Sequence, residues 1–299
     1  ESVFPCDAGV QETPVEAFSY SAMTRVSPKT KVARPRVLIP VFPGTNCEYD
    51  TARQFALAGA EAECFVIRNL TADAIAQSVD RMEQLIKDSQ IIALPGGFSG
   101  GDEPDGSAKF ITSFFRNPRI TEAVRELLQR RDGLMLGICN GFQALIKLGL
   151  VPFGDIVDAD AESPTLTYNT IGRHQSMMVR TRVASNLSPW LMYTSVDDMH
   201  TIPISHGEGR FIISEALMTR LAQNGQIATQ YVDADGKPTM DIRCNPNSSL
   251  YAVEGLTSPD GRILGKMAHS ERIGENVCKN VDGEKNQKLF SAAVDYFAL

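Results

Sequence analysis

LMLGICNGFQ, residues 134–143, opens as a short apolar run and closes on two glycines that bracket a cysteine. Leu134, Met135, Leu136 and Ile138 suit a strand buried on both faces. Gly137-Ile138-Cys139-Asn140-Gly141 suits a sharp strand-to-helix turn of the nucleophile-elbow type, with a thiol where a serine is usual. Such a turn brings two backbone segments so close that a Cβ at either flank would collide, which is why both flanks are glycine. It also lifts Cys139 out of the sheet to the first turn of a helix, where the macrodipole and unpaired N–H groups favour the thiolate. The alternative is a plain buried cysteine, a common core residue. That role requires neither the glycine pair nor a strand ending at the same point.

A thiolate needs a base, and the chain holds four histidines, at 174, 200, 206 and 269. His269 follows two apolar runs, 251–256 and 262–268, joined by the turn Ser258-Pro259-Asp260-Gly261, so it stands at the end of a predicted hairpin. In His269-Ser270-Glu271 the carboxylate can accept the Nδ1 proton, fix the tautomer and leave Nε2 to take the thiol proton. An isolated H-x-E is often a solvated surface pair; a strand terminus downstream of a cysteine elbow favours the relay. His206 is the rival base, although no residue orients it as simply as Glu271 orients His269. Cys47 is a rival thiol that lacks the flanking glycines, and it reads as a wall of the pocket.

Outward from the elbow, strands and helices alternate. RVLIPVF (36–42) reads as a buried strand, AECFVI (62–67) and QIIALP (90–95) as the next strands, and helical patterns cover 48–59, 71–87 and 120–131. Right-handed βαβ crossovers and a largely parallel open sheet flanked by helices follow. Shorter strands at 177–183, 202–205, 227–232, 251–256 and 263–268 predict an antiparallel extension. Ligands of open sheets bind at the carboxyl ends of the strands, so the loops 43–47, 95–98, 139–140 and 269–271 are expected to converge. Gly96-Gly97 lets backbone approach a ligand, and its N–H groups with that of Asn140 suit a two-donor oxyanion hole; Pro-Gly-Gly is also ordinary turn chemistry.

Together GICNGFQ, LPGGFSGGDEPDG and MAHSER resemble the class I glutamine amidotransferases with a Cys-His-Glu triad. VFPGTNCEYD and PISHGEGRF extend the resemblance to the glutaminase domains of phosphoribosylformylglycinamidine synthases, over roughly residues 34–299. The resemblance implies a flavodoxin-like fold, glutaminase activity with Cys139, His269 and Glu271 as triad, and Gly97 and Asn140 as oxyanion donors. It places Gly96, Gln143, Ser205, His206, Gly207 and Glu208 around L-glutamine. It implies an acceptor, formylglycinamide ribonucleotide, aminated by a synthetase region of the same longer chain that holds ATP and Mg; no cofactor is expected in this chain, which has no Walker A pattern.

Composition excludes several classes. With 299 residues, 43% of them hydrophobic, the chain can bury a large core, and its net charge of −7 argues against a nucleic-acid or anionic-membrane surface. No stretch approaches about 18 uninterrupted apolar residues. Six cysteines without a C-x-x-C pair suit a reducing cytoplasm. The spacing of His200 and His206 offers no zinc motif, and Asp102, Glu103 and Asp105 read as a solvated loop rather than a metal site. Residues 1–35, rich in proline and poor in periodic hydrophobicity, are expected to be a tether within a longer protein, with the amidotransferase domain at 36–299. Two other functions share these features: a γ-glutamyl hydrolase or cysteine peptidase of the same architecture, and a non-enzymatic regulatory domain docking on a synthetase.

Overall fold

The apolar runs become strands, buried in β1, β3 and β4 and half-exposed in the edge strand β2. The computed structural model describes residues 14–98 and 108–298. In its first half β1 (Arg36–Val41), α1 (Glu48–Leu57), β2 (Glu61–Val66), α2 (Ala72–Asp88) and β3 (Ile91–Leu94) alternate as expected. α3 (Lys109–Phe115) and α4 (Pro118–Arg125) lead to β4 (Leu134–Ile138), which runs into α5 (Asn140–Leu148) and the short α6 (Leu150–Phe153). Thr71 caps α2 by accepting from the Ala74 N–H at 3.1 Å. The helix predicted over 120–131 is α4 followed by a π-helical turn, Glu126–Arg130.

The second half supplies β5 (Thr165–Thr167), β6 (Gln175–Val183), β7 (Met199–His206), β8 (Arg210–Ile212), α7 (Glu215–Gln223), β9 (Ile227–Tyr231), β10 (Val253–Thr257), β11 (Ile263–Lys266) and α8 (Leu289–Ala298). The main sheet has nine strands in the order β2-β1-β3-β4-β11-β10-β9-β6-β7. The first five are mutually parallel, and the pairings from β11 through β7 are antiparallel. The hairpin predicted before His269 is β10–β11, and β11 closes against β4 in parallel, with Gly265 opposite Gly137. The strands that end at Cys139 and just before His269 are therefore neighbours. β5 and β8 form a separate two-stranded ribbon that the sequence did not announce. One face of the sheet is covered by α1 and α8, where Phe55 meets Phe290 edge-on at 4.9 Å and Trp190 at 6.3 Å.

The stretch expected to be a tether differs from that reading over 14–35, where it is laid along the domain. Phe18 is buried; its N–H donates to Gln230 Oε1 at 3.0 Å and its carbonyl accepts from Arg182 Nη1 at 2.7 Å. The Tyr20 N–H bonds the Ala184 carbonyl, and farther on the Val32 N–H bonds that of Phe297, both at 2.9 Å. Extended backbone without periodic hydrophobicity gives no pattern to read, yet it satisfies its polar groups on the sheet's own side chains. No helix among the described residues is long and apolar enough to cross a membrane. Phe18→Ala is expected to lower unfolding free energy by about 3–5 kcal/mol in urea denaturation; an unchanged midpoint would mean that the strap is not bound in solution.

Candidate active site

The elbow is strained where the sequence said it would be. Cys139 sits at φ 53° and ψ −106° between β4 and α5, a region rarely adopted by a non-glycine residue and held only by surrounding structure. A Cβ at Gly137 would lie 2.6 Å from Leu145 Cδ1 and 2.7 Å from the Gly141 carbonyl; one at Gly141 would lie 2.0 Å from the Leu94 oxygen. The Cys139 N–H is tied to the Lys266 carbonyl at 2.8 Å, and its Sγ lies 3.7 Å from the Ser205 carbonyl.

His269 and Glu271 face this thiol from the end of β11. His269 Nδ1 donates to Glu271 Oε1 at 2.6 Å, and Nε2 is buried with no hydrogen-bond partner among the described residues. Burial alone would lower the imidazole pKa; the Glu271 charge outweighs it and, with the Cys139 and Cys47 thiols, holds the ring well above the ordinary histidine value. Burial likewise pushes Glu271 upward, but the His269 charge and hydrogen bond bring its carboxyl below the ordinary value. Cys139, His269 and Glu271 are 4%, 1% and 0% exposed, so the relay is almost sealed from solvent.

Cys47, expected as a wall, stands closer than that. Its Sγ is 3.9 Å from His269 Nδ1 and accepts from Arg272 Nη2 at 3.0 Å. Donor atoms of Cys47, His269 and Glu271 all lie within 4.8 Å of one another. A cation there would have to part Nδ1 from Glu271 and stand beside the Arg272 guanidinium, so the set suits a proton relay better than a metal centre. Arg272 was written in the HSER tetrapeptide, but its partner lies 225 residues away in sequence.

The strand-end loops converge. The Phe98 N–H bonds the Gly44 carbonyl at 2.8 Å and the Asn46 N–H bonds the Gly96 carbonyl at 3.1 Å, zipping loop 43–47 to loop 95–98. A Cβ on Gly96 would lie 2.7 Å from His269 Cε1, and one on Gly97, at φ 151°, would lie 2.4 Å from the Gly44 oxygen. Both positions need glycine for close approach. Ser205 reaches Cys139 through its carbonyl and His174 Nε2 through its Oγ at 3.0 Å, and the Gly207 carbonyl accepts from the Asn169 N–H at 2.9 Å. Gln143, expected against the substrate's α-amino end, has both ends of its amide engaged: it donates to the Glu208 carbonyl at 2.5 Å and accepts from Asn140 Nδ2 at 2.9 Å. In this arrangement it braces α5 against loop 207–209.

His206 is buried beside the relay but has a different environment. Asn247 Nδ2 lies 3.3 Å from its Nε2 and also bonds the Tyr231 hydroxyl at 2.9 Å. Burial, then the charges of His269 and His174, push its pKa down to about 3. Nothing in the sequence pointed to Asn247 and Tyr231 as neighbours of His206, because a turn residue and a strand residue are brought to it only by the fold. Asp102, Glu103 and Asp105 lie outside the described residues.

A family model for the CobB/CobQ-like glutamine amidotransferase domain matches residues 34–297. The chain belongs to that family. It is a glutamine amidotransferase of class I, built on a mixed sheet whose parallel half carries the cysteine elbow. It is 32% identical over 88% of its length to a phosphoribosylformylglycinamidine synthase subunit PurQ of Methanococcus maripaludis, spanning 97% of that protein. It is 33% identical to the subunit of the same name from Dehalococcoides mccartyi, over 81% of this chain and 87% of that one. In structure it is similar to a chain of PurLQS from Thermotoga maritima, with a TM-score of 0.62 and 24% identity over 88% of this chain and 99% of that one.

The state of His206 in this amidotransferase has a measurable consequence. Its unfolded-state pKa is about 6.5, so between pH 6.5 and about 3 the unfolded chain binds a proton that the native site refuses. Stability therefore falls as pH drops through that window. His206→Asn is expected to lose about 2 kcal/mol less than the parent between pH 7 and pH 5 in urea denaturation. Parallel losses would mean that His206 is protonated in the folded protein.

Proposed function

We propose that the chain hydrolyses the side-chain amide of L-glutamine through a γ-glutamyl thioester on Cys139. The observation that carries this reading is the pairing of a strained, helix-N-terminal thiol with an imidazole fixed by Glu271 on one nitrogen and left unpartnered on the other. His269 takes the thiol proton, and Cys139 Sγ attacks the amide carbon. Charge developing on the oxygen rests on the backbone N–H groups of Gly97 and Asn140. His269 then protonates the departing ammonia, and water, deprotonated by the same imidazole, resolves the thioester to glutamate. Splitting amide hydrolysis in this way replaces one high barrier with two lower ones. Gly96, Ser205, His206, Gly207 and Glu208 line the approach to the thiol, and Gln143 holds their wall in place.

The ammonia passes to a synthetase partner that holds ATP and Mg and aminates formylglycinamide ribonucleotide in purine biosynthesis. The names and near-complete coverage of the relatives support this acceptor. A nucleophile only 4% exposed supports the coupling, because a sealed resting site must open or shift to take glutamine. Ammonia released into neutral water becomes ammonium, which is no nucleophile, so glutamine is best hydrolysed only when the partner is loaded. A free-standing γ-glutamyl hydrolase of this fold would have no use for such closure.

Two measurements test the reading. His269→Ala is expected to remove more glutaminase activity than Glu271→Gln, each by about 10²-fold or more; normal turnover in His269→Ala with loss in His206→Ala would move the base to His206. Glutamine turnover by the isolated chain should be weak and rise several-fold on adding the synthetase with its acceptor, as a coupling free energy of about 1–3 kcal/mol gives. A rate that the partner leaves unchanged would favour the free-standing hydrolase.

A further inference from the structure

Behind the triad lies a second buried polar cluster that the chemistry above does not use. Lys266 and Glu254, with side chains 1% and 0% exposed, pair across β11 and β10 at 3.2 Å. Lys266 Nζ also donates to the Ala268 carbonyl at 2.9 Å and to Ser270 Oγ at 3.0 Å. Glu254 Oε1 accepts the Ala268 N–H at 2.7 Å, and its Oε2 accepts the Thr229 hydroxyl at 2.5 Å. Ser270 Oγ passes its own proton to Gln287 Oε1 at 2.6 Å. The backbone of the same lysine accepts the Cys139 N–H at 2.8 Å. One residue is thus bonded to the nucleophile through its carbonyl and, through its ammonium, to both residues that flank His269.

Stability alone gives no reason for this arrangement, since a buried ion pair can often be replaced by apolar residues of similar volume without loss. Directional bonds, in contrast, fix a corner. The corner 267–270 is not a regular element and has no ladder of its own: the Met267 N–H goes to the Glu254 carbonyl at 3.2 Å and the His269 N–H to Pro203 on β7 at 2.8 Å. Without the ammonium, the Ala268 carbonyl and Ser270 hydroxyl lose the donor that sets the distance from β4 to the imidazole. A misplacement of about 1 Å in a reacting group is enough to cost about 10²-fold in rate.

We propose that Lys266, neutralised by Glu254, is a positioning residue that sets His269 against Cys139. The inference rests on the reading of these two as base and nucleophile. The charged and titratable groups facing the cluster are His200, whose pKa is lowered by burial and then by Lys266, with Asp198 and Glu284 beyond it, and Tyr231, whose pKa is raised by burial and then by Glu254. Around the thiol stand His269, Arg272 and Tyr231.

Lys266→Met alone would strand a buried carboxylate, so the informative protein is the double variant Lys266→Met/Glu254→Gln, which removes both charges and keeps the shape. Its kcat for glutamine should fall by about 10–100-fold while KM stays within about two-fold, as for an interaction felt only in the transition state. Alkylation by iodoacetamide, read on the peptide that carries Cys139, should be about ten-fold slower at pH 7.5 and match the parent at pH 10, where hydroxide removes the thiol proton without a base. Ser270→Ala, which deletes one partner of the ammonium and no charge, should show the same pattern at smaller size even if the double variant fails to fold. An unchanged kcat, or alkylation slowed equally at both pH values, overturns the proposal. His269→Ala, measured beside them, separates the two readings. Parent-like alkylation of that variant at pH 7.5 discards His269 as base, whereas slow alkylation there with a parent-like double variant discards only the role of Lys266.

Discussion

α5 leaves the sheet so close to the end of β3 that no Cβ fits at Gly141, 2.0 Å from where the Leu94 oxygen lies. That approach goes with the positive φ of Cys139 and fixes the thiol over the carboxyl ends of β3 and β4. Loop 95–98 starts at the same point, so it is delivered beside the thiol, where Gly96 packs on the imidazole and Gly97 on loop 43–47. The pairing of β11 with β4 then places the base one strand away. The positions of Cys139 and of loop 95–98 follow from one contact that tolerates only glycine, and that of His269 from the strand pairing beside it.

Charge is the second constraint. A histidine and a glutamate sealed from solvent are costly to bury apart, and the Glu271 carboxylate favours the imidazolium that forms when His269 gains a proton. Lys266 and Glu254 repeat this arrangement one layer deeper. The site has been taken out of water before substrate arrives, which strengthens every dipole aimed at a developing oxyanion. It also explains why His206, with Asn247 and no carboxylate, stays neutral and makes a poor relay. Environment, not residue type, distinguishes the two histidines.

The parts legible in the sequence were those written in local pattern. Buried parallel strands read as apolar runs, a cysteine between glycines after such a run reads as an elbow, and His269-Ser270-Glu271 carries its own orienting group. The β5–β8 ribbon was missed because three-residue strands are too short to show a period of two. The strap over 14–35 was misread because extended backbone bonded to Gln230 and Arg182 has no periodicity. Cys47 with Arg272, and Glu254 with Lys266, were unreadable for a third reason: their meaning depends on which strands become neighbours. Gln143 was placed against the substrate by resemblance, and only the fold shows its amide engaged by Asn140 and Glu208.

The account stands on a covalent intermediate at one of six cysteines. Mixing the protein with the proposed synthetase partner, its acceptor and glutamine, quenching in acid within the first turnover and mapping the peptides by mass spectrometry tests this directly. A γ-glutamyl thioester on Cys139, absent from Cys139→Ser, is the result expected. Glutamate formed in the burst with no adduct on Cys139, or with the adduct on Cys47, would contradict the account.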